Sequence, residues 1–365
     1  MTSTRQFGFK KAIGCSHSTY LLKESIQYFT SNDSNVSMCM LDLSRAFDKL
    51  NHWGLYIKLM ERKIPLIILR LIINLFSKLC TVVAWNGARS SPVVLRTGCR
   101  QGAILSPTLF SVYVDDLLLE LSRKALGCRI NGFCFNSLMY ADDLMLLAIT
   151  ISDLRILLKI SVSFFEKVDM PINIAKSKCI RIGNGYRNTC VPVFIADKAL
   201  EWVQSFRYLG INIVAGCRYA CDYGDARKKF LGAFNAIYGR IGNKNTTNLS
   251  LSLLSSKCLP SLIYGAELLD SQRQIARLCY TYDRTWMKIF GTFDVNTIRV
   301  CQYYSNTLPL DYQLNLRKFV FLNKLNSHPD PQFKLAAACF RNNYSCVTEY
   351  GALSTDSLST VKFKM

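Results

Sequence analysis

Histidine is nearly absent from this chain of 365 residues, with only His17, His52 and His328. Fifteen cysteines are present, but none form a Cys-x-x-Cys pair, so no zinc-knuckle spacing can be assembled. Acidic residues are scarce: 25 Asp and Glu stand against 45 Lys and Arg, giving a formal charge of +20 and an isoelectric point near 9.4. That excess favours a polyanionic partner, nucleic acid first and a membrane surface second, over a merely solvated basic surface. Long apolar runs are missing as well. The longest, Ile64–Phe76, is too short to cross a bilayer and is interrupted by Arg70. Residues 1–13 are polar and basic in character, unlike a signal peptide. The cysteines follow no disulfide pattern, and several (Cys39, Cys80, Cys134, Cys339) lie within apolar runs. This predicts reduced thiols acting as small core residues of an intracellular protein.

Half of the chain is hydrophobic, enough for a substantial core in two or three domains or one large divided domain. The stretch that organises it is Tyr140-Ala141-Asp142-Asp143, set between the apolar runs Ser137–Tyr140 and Leu144–Ala148. A strand, a turn and a second strand place the two aspartates at a hairpin tip, where their repulsion calls for a cation. About a hundred residues earlier, a buried strand ending at Leu41 delivers Asp42 before the chain turns into a helix. Side by side, the two strands would gather Asp42, Asp142 and Asp143. Such a cluster is the minimum that holds two divalent ions about 4 Å apart for in-line phosphoryl transfer.

Elsewhere, Ser18 or Thr19 can cap a helix reaching Phe29. Residues 48–63 read as an amphipathic helix, and 65–78 as a second one with its Ile/Leu run buried. Residues 81–94 read as a hairpin turning at Asn86-Gly87. Gly98 and Gly102 flank Arg100-Gln101 in a loop that can approach another molecule closely. Ser106 then caps a helix with Pro107 at its first position. Asp115 and Asp116, adjacent within it, are expected to be surface charges or salt-bridge partners rather than ligands. Ser152 caps a further helix, and a hairpin follows around 206–213. From about 216 the chain turns helical and basic, with Arg227-Lys228-Lys229, Arg240 and Lys244, then helices over 251–269 and 272–290 and a loose tail from about 330.

Taken in order, Leu41-Asp42-Leu-Ser-Arg-Ala-Phe47-Asp48, then Gly98-Cys-Arg-Gln101-Gly102-Ala-Ile-Leu-Ser106-Pro107, then Tyr140-Ala-Asp142-Asp143 resemble reverse-transcriptase motifs. Asn173-x-x-Lys176-Ser-Lys178 and Phe206-Arg-Tyr-Leu209-Gly210 continue the order, and Gln6-Phe-Gly-Phe9 and Leu259–Glu267 resemble flanking pieces. The version resembles that of non-LTR (long interspersed) retrotransposons of the Jockey/chicken-repeat kind, here N-terminally truncated. The resemblance covers roughly residues 6–295 and implies an α+β right-hand polymerase with an antiparallel-sheet palm, partial fingers and a helical thumb. Residues 1–35 would be partial fingers and 36–215 the palm with an inserted fingers segment at about 55–97. The thumb would take 216–300, and a C-terminal helical extension and tail 301–365.

The resemblance further implies RNA-directed DNA synthesis on an RNA template and DNA primer, with deoxynucleoside triphosphates and two Mg²⁺, in an intracellular and nuclear setting with neither membrane nor zinc. Asp42, Asp142 and Asp143 would be the metal ligands, and Lys176 would give a proton to the leaving pyrophosphate or offset its charge. Phe47 would exclude a ribose 2′-hydroxyl, unless it is only a core aromatic. Gln101 and Gly102 would lie beneath the templating pair. Tyr140, Phe206, Leu209 and Gly210 would meet the primer, although a plain hairpin also explains 206–210. Arg227, Lys228 and Lys229 would meet phosphates. The alternatives are a catalytically silent retroelement remnant that at most binds nucleic acid, and an RNA-dependent RNA polymerase, against which Phe47 argues.

Overall fold

The structure is a computed structural model describing residues 2–241, 247–334 and 336. Lys244 and most of the tail predicted from about 330 lie outside these residues. The chain forms two compact units, one comprising Met1–Ser18, Ser25–Phe206 and Ala215–Tyr219, the other Thr19–Glu24, Arg207–Val214 and the chain from Ala220.

The first unit is built on six strands: β1 (Val36–Leu41), β2 (Ser137–Tyr140), β3 (Asp143–Ala148), β4 (Lys178–Ile182), β5 (Val193–Ile195) and β6 (Lys198–Trp202). They lie in the order β5-β6-β4-β1-β3-β2. Every neighbouring pair is antiparallel except β4 with β6, which run parallel, so the sheet is mixed rather than wholly antiparallel as predicted. The parallel junction arises because the chain leaves β4, passes through 183–192 and returns as the β5–β6 hairpin. Central strands β1 and β3 are continuous apolar runs, which marks strands covered on both faces. On one face Cys39, Leu41, Leu144 and Leu146 share a core with Phe110 and Leu117 of α1 (Ser106–Arg123) and Leu157 and Phe165 of α2 (Ile151–Lys167).

Several expected elements form with shifted ends. Helix Cys15–Ser31 starts earlier than predicted, at a Gly14 cap whose N–H donates to His17 Nδ1 at 3.1 Å. The helix expected over 48–63 is split into Ala46–Lys49 and His52–Glu61, with Asn51 capping the second. Thr150, not Ser152, caps α2, and Leu105 precedes α1, with Ser106 and Pro107 already helical. The Asn86-Gly87 hairpin forms as expected, with positive φ at both residues. Helix Leu66–Ser77 overturns one expectation: only Leu69, Ile72 and Phe76 are buried, and Ile67, Leu71 and Leu75 face solvent. Asp115 and Asp116 are salt-bridged as expected, Asp115 to Arg62 at 2.7 Å and Asp116 to Lys58, but Asp115 is buried rather than on the surface.

In the second unit, Ile211–Val214 pairs antiparallel with Ala220–Asp222, and helices Gly224–Ile241, Gln272–Phe290 and Leu310–Asn326 follow. The helix expected over 251–269 is broken into Thr247–Leu253, a wider turn at Leu254–Cys258, Leu259–Leu262 carrying Pro260, and Ala266–Leu268. A buried ionic group sits inside this unit. Lys23 Nζ lies 2.5 Å from Asp270, which also pairs with Lys318, while Glu267 takes Arg317 at 2.8 Å.

All thirteen cysteines among the described residues are free. Cys39 and Cys134 are buried as expected and Cys80 is half-buried, while Cys339 lies outside the described residues. No described helix is long and apolar enough to cross a membrane.

Candidate active site

The β2–β3 hairpin closes at the pair Tyr140–Asp143, leaving Ala141 and Asp142 as its two-residue turn. Ala141 adopts φ +56°, a left-handed conformation that costs a non-glycine residue about 1–2 kcal/mol. The surroundings hold it there. Gln6, fully buried, accepts from Ala141 N–H at 3.0 Å and donates to Ala141 O at 3.1 Å. The same Gln6 oxygen accepts from Gly8 N–H. Gly8 lies so close that a Cβ there would sit 2.6 Å from the Ala141 nitrogen. Met139, two residues back, donates to Arg5 O and accepts from Phe7 N–H. Residues 5–8 therefore form a cradle under the turn that presents Asp142 and Asp143.

Asp42 reaches the same place from β1. The β1–β3 ladder ends at Leu41–Leu144, and one further step in register sets Asp42 against Asp143. Opposed residues of antiparallel strands have Cα atoms about 4.5–5.5 Å apart, and the Asp42 charge is near enough to act on both Asp142 and Asp143. The backbone of Asp42 is pinned on both sides: its N–H donates to Ser177 Oγ and its carbonyl accepts from Asn173 N–H at 2.8 Å. The loop that supplies those partners also delivers Lys176, whose Nζ stands 4.0 Å from the Asp42 carboxylate. Burial, and then the charges of Asp142 and Asp42, push the Asp143 carboxyl up to about 6. Burial first and Asp42 second raise Asp142 as well.

Among the described residues, no three His, Cys, Asp or Glu side chains surround one point closely enough to hold a metal ion unaided. The donor set nevertheless fits a hard divalent cation. Three hard carboxylates at adjoining strand ends repel one another, and Mg²⁺ is usually held by one or two carboxylates with waters and substrate phosphates filling the rest.

Phe47 is half-buried in Ala46–Lys49, stacked on Phe110 at 4.6 Å between ring centres and edge-on to Phe9 at 6.1 Å. Its neighbour Arg45 has φ +52°. The 98–102 loop is fastened to this segment by Gly98 N–H to Leu50 O and Cys99 N–H to Phe47 O. Gly98 has φ +84°, and a Cβ would lie 2.8 Å from Asp48 O, so only glycine fits. Gly102 has φ +86° with open space around it, and Gln101 is exposed, its amide 3.5 Å from Asp48.

Thus Asp42, Asp142, Asp143 and Lys176 converge in the first unit, which also holds Tyr140, Phe47, Gln101 and Gly102. Phe206 is in this unit and buried in a strand. Leu209, Gly210, Arg227, Lys228 and Lys229 belong to the second unit. There Tyr264 Oη donates to Leu209 O at 2.8 Å, within a turn of positive φ at Leu209 and Gly210. Arg227 is occupied, its Nε donating to Thr281 Oγ1 at 2.8 Å, whereas Lys228 and Lys229 are exposed. Gln6 is the functional side chain that the sequence reading leaves without a role; its glycine-spaced, aromatic-flanked setting was the available signal.

The reverse transcriptase (RNA-dependent DNA polymerase) family matches residues 1–213, more than half of the chain. The chain belongs to the reverse transcriptase family. Its relatives are retrotransposable-element proteins, consistent with the non-LTR resemblance. A polyprotein from the type-2 element R2DM of Drosophila melanogaster is 27% identical over 60% of this chain and 21% of its own length. One from the type-1 element R2 of Popillia japonica is 28% identical over 72% of this chain and 37% of its own. The RNA-directed DNA polymerase from mobile element jockey of Drosophila melanogaster is 21% identical over 89% of this chain and 36% of its own. This reverse transcriptase chain therefore spans between about a seventh and a half of such relatives' lengths. Among solved structures, apo telomerase from Candida tropicalis is similar at 12% identity and a TM-score of 0.44, covering 92% of this chain and 58% of that one.

Proposed function

We propose that the chain is an RNA-directed DNA polymerase, extending a DNA primer 3′-hydroxyl with deoxynucleoside triphosphates on an RNA template. The observation that carries this reading is the meeting of Asp42 and Asp143 at the ends of adjacent strands, with Asp142 on the turn and Lys176 beside Asp42. Asp42 and Asp142 would hold two Mg²⁺ ions, with Asp143 assisting. When bound, the ions activate the 3′-hydroxyl and neutralise the departing pyrophosphate.

The remaining roles fall to the chain's own groups. Lys176 offsets charge on the pyrophosphate or hands it a proton. Phe47, braced by Phe110 and Phe9, blocks the position a ribose 2′-hydroxyl would take. The backbone at Gln101-Gly102 lies under the templating pair. Tyr140, Phe206, Leu209 and Gly210 contact the primer, and Lys228 and Lys229, with Arg227 anchoring their helix, meet phosphates without reading sequence. In these terms residues 36–215 form the palm of a right-hand polymerase with a fingers insertion at about 55–97, 1–35 partial fingers and 216–300 the thumb, followed by a C-terminal extension. The setting is intracellular and, by kinship with retrotransposable elements, nuclear.

Primer extension on poly(rA)/oligo(dT) with Mg²⁺ tests the reading. Incorporation is expected for the native chain and should fall by about 10³-fold or more in Asp142→Asn, the loss of roughly 4 kcal/mol of transition-state stabilisation. Equal incorporation by the two proteins would overturn the site.

A further inference from the structure

Beyond the carboxylate site, the first unit has a second built cleft of about 280 Å³ at the parallel junction of β4 and β6. There β4 runs on through Arg181 while the neighbouring chain turns away as Val203-Gln204, and the 183–190 loop folds over the gap. The walls are fixed. Val203 N–H donates to Cys179 O, Gly183 N–H to Gly216 O, Ala215 N–H to Gln204 O and Gly185 N–H to Asn35 Oδ1 at 2.7 Å. A Cβ on Gly183 would meet Asn35 at 2.5 Å, so the loop is seated on its support.

The lining is cationic and aromatic with no acidic member. The Arg181 guanidinium lies 5.7 Å from the Trp202 ring centre, and that of Arg187 lies 5.3 Å from Tyr186, whose hydroxyl it also donates to. Neither arginine makes an ion pair among the described residues. The Trp202 Nε1–H is buried and has no hydrogen-bond partner among the described residues. Two guanidinium forks ask for an acceptor-rich anion, and Arg matches phosphate in a bidentate manner. Flat aromatic and guanidinium surfaces stack on bases, and the Asn188 and Gln204 amides can meet base edges.

The geometry points to a second, non-catalytic site for one nucleoside monophosphate unit, whether free or within a single strand. Near the lower end of the ~300–1,000 Å³ of small-molecule sites, the cleft admits one nucleotide and no duplex. It is separate from the carboxylates. Arg181 is level with Ser37 in the sheet, five residues from Asp42 along β1, about 17 Å at 3.3 Å per residue.

The four tryptophans make a direct test possible. Indole N–H signals of ¹⁵N-tryptophan protein are recorded in EDTA with Asp42→Asn and Asp142→Asn in place, which removes metal-dependent nucleotide binding at the other site. Trp202→Phe assigns the signal. Adenosine 5′-monophosphate, an adenine ribonucleotide hexamer, adenosine and inorganic phosphate are titrated separately. The Trp202 signal is expected to move saturably with the monophosphate or with the hexamer. A response to the monophosphate marks a free-nucleotide site, and a response to the hexamer alone marks a strand site. Adenosine and phosphate should bind roughly tenfold or more weaker, and Arg181→Gln with Arg187→Gln should weaken the nucleotide by a similar factor. Arg187→Glu, a change on an exposed loop, should do the same if the double variant does not fold. A Trp202 signal unmoved by either nucleotide probe, phosphate binding as tightly as the nucleotide, or arginine variants with native affinity would each overturn the proposal.

Discussion

The side-chain amide of Gln6 is bonded to both the N–H and the carbonyl of Ala141, so the residue before the paired aspartates is gripped from both ends. This grip explains how an alanine holds φ +56° at a hairpin tip.

Gln6→Met keeps the volume and removes all three bonds, leaving the Ala141 N–H, the Ala141 carbonyl and the Gly8 N–H without partners. The expected cost is about 2–4 kcal/mol by urea unfolding. Primer extension measured well below the unfolding transition should also fall, because Asp142 loses its fixed position. Native incorporation alongside the expected loss of stability would show that the turn keeps its shape unaided.

Gly98 and Gly102 share a positive φ but differ in surroundings, which makes a paired test. Gly102→Ala meets open space and should cost only the left-handed strain, about 1–2 kcal/mol. Gly98→Ala adds a methyl 2.8 Å from Asp48 O and should cost distinctly more, about 3–5 kcal/mol. Equal losses would mean that the 98–102 loop is not held against residues 47–50.

Phe47→Val removes a ring stacked on Phe110. A stability loss of about 1–3 kcal/mol is expected from the half-filled space. If the ring excludes the 2′-hydroxyl, the ratio of kcat/KM for deoxy- over ribonucleotides should fall by about tenfold or more, since a steric block is worth one to several kcal/mol. An unchanged ratio would leave Phe47 as core alone.

Glu24 gives the protein a predictable pH dependence. Burial lifts its carboxyl to about 7 from 4.5, with Lys23 pulling the other way. The folded chain therefore keeps a proton that the unfolded chain releases, and stability falls as pH rises from about 4.5 to about 7. Glu24→Gln should remove that slope and stabilise the protein at pH 8 by about 2–3 kcal/mol, read from urea midpoints at pH 5 and 8. A slope that survives the substitution would assign it to other groups.

What the sequence discloses and what it withholds divide along physical lines. The hairpin of Tyr140–Asp143 and the β1 strand are legible because their apolar runs are short, bounded and followed by acidic turns. Helix Gln272–Phe290 is legible at both ends. The broken helix before it is not, because its breaks depend on packing around Pro260. The Ile/Leu run at 66–77 misleads for the opposite reason: apolar character fixes the helix but says nothing about which face finds cover. Asp42, Asp142 and Asp143 stand out by their strand-end and turn settings, whereas Lys176 is singled out only through the resemblance to reverse-transcriptase motifs. The Gln6 cradle and the Lys23–Asp270–Lys318 group join residues far apart in the chain, and no local pattern announces such pairings.

The bridge between residues 5–7 and Met139 has a consequence for handling the molecule. Strand β2 is the outermost strand of its sheet, and this short bridge is what occupies its free edge. Trimming the first ten residues would uncover the Met139 N–H and carbonyl at the edge of an apolar strand, an opening for another chain to add to. Shortened versions should therefore precipitate or form intermolecular sheet before they lose helix content, and a protease acting at the amino end should inactivate both by aggregation and by releasing the turn that Gln6 grips.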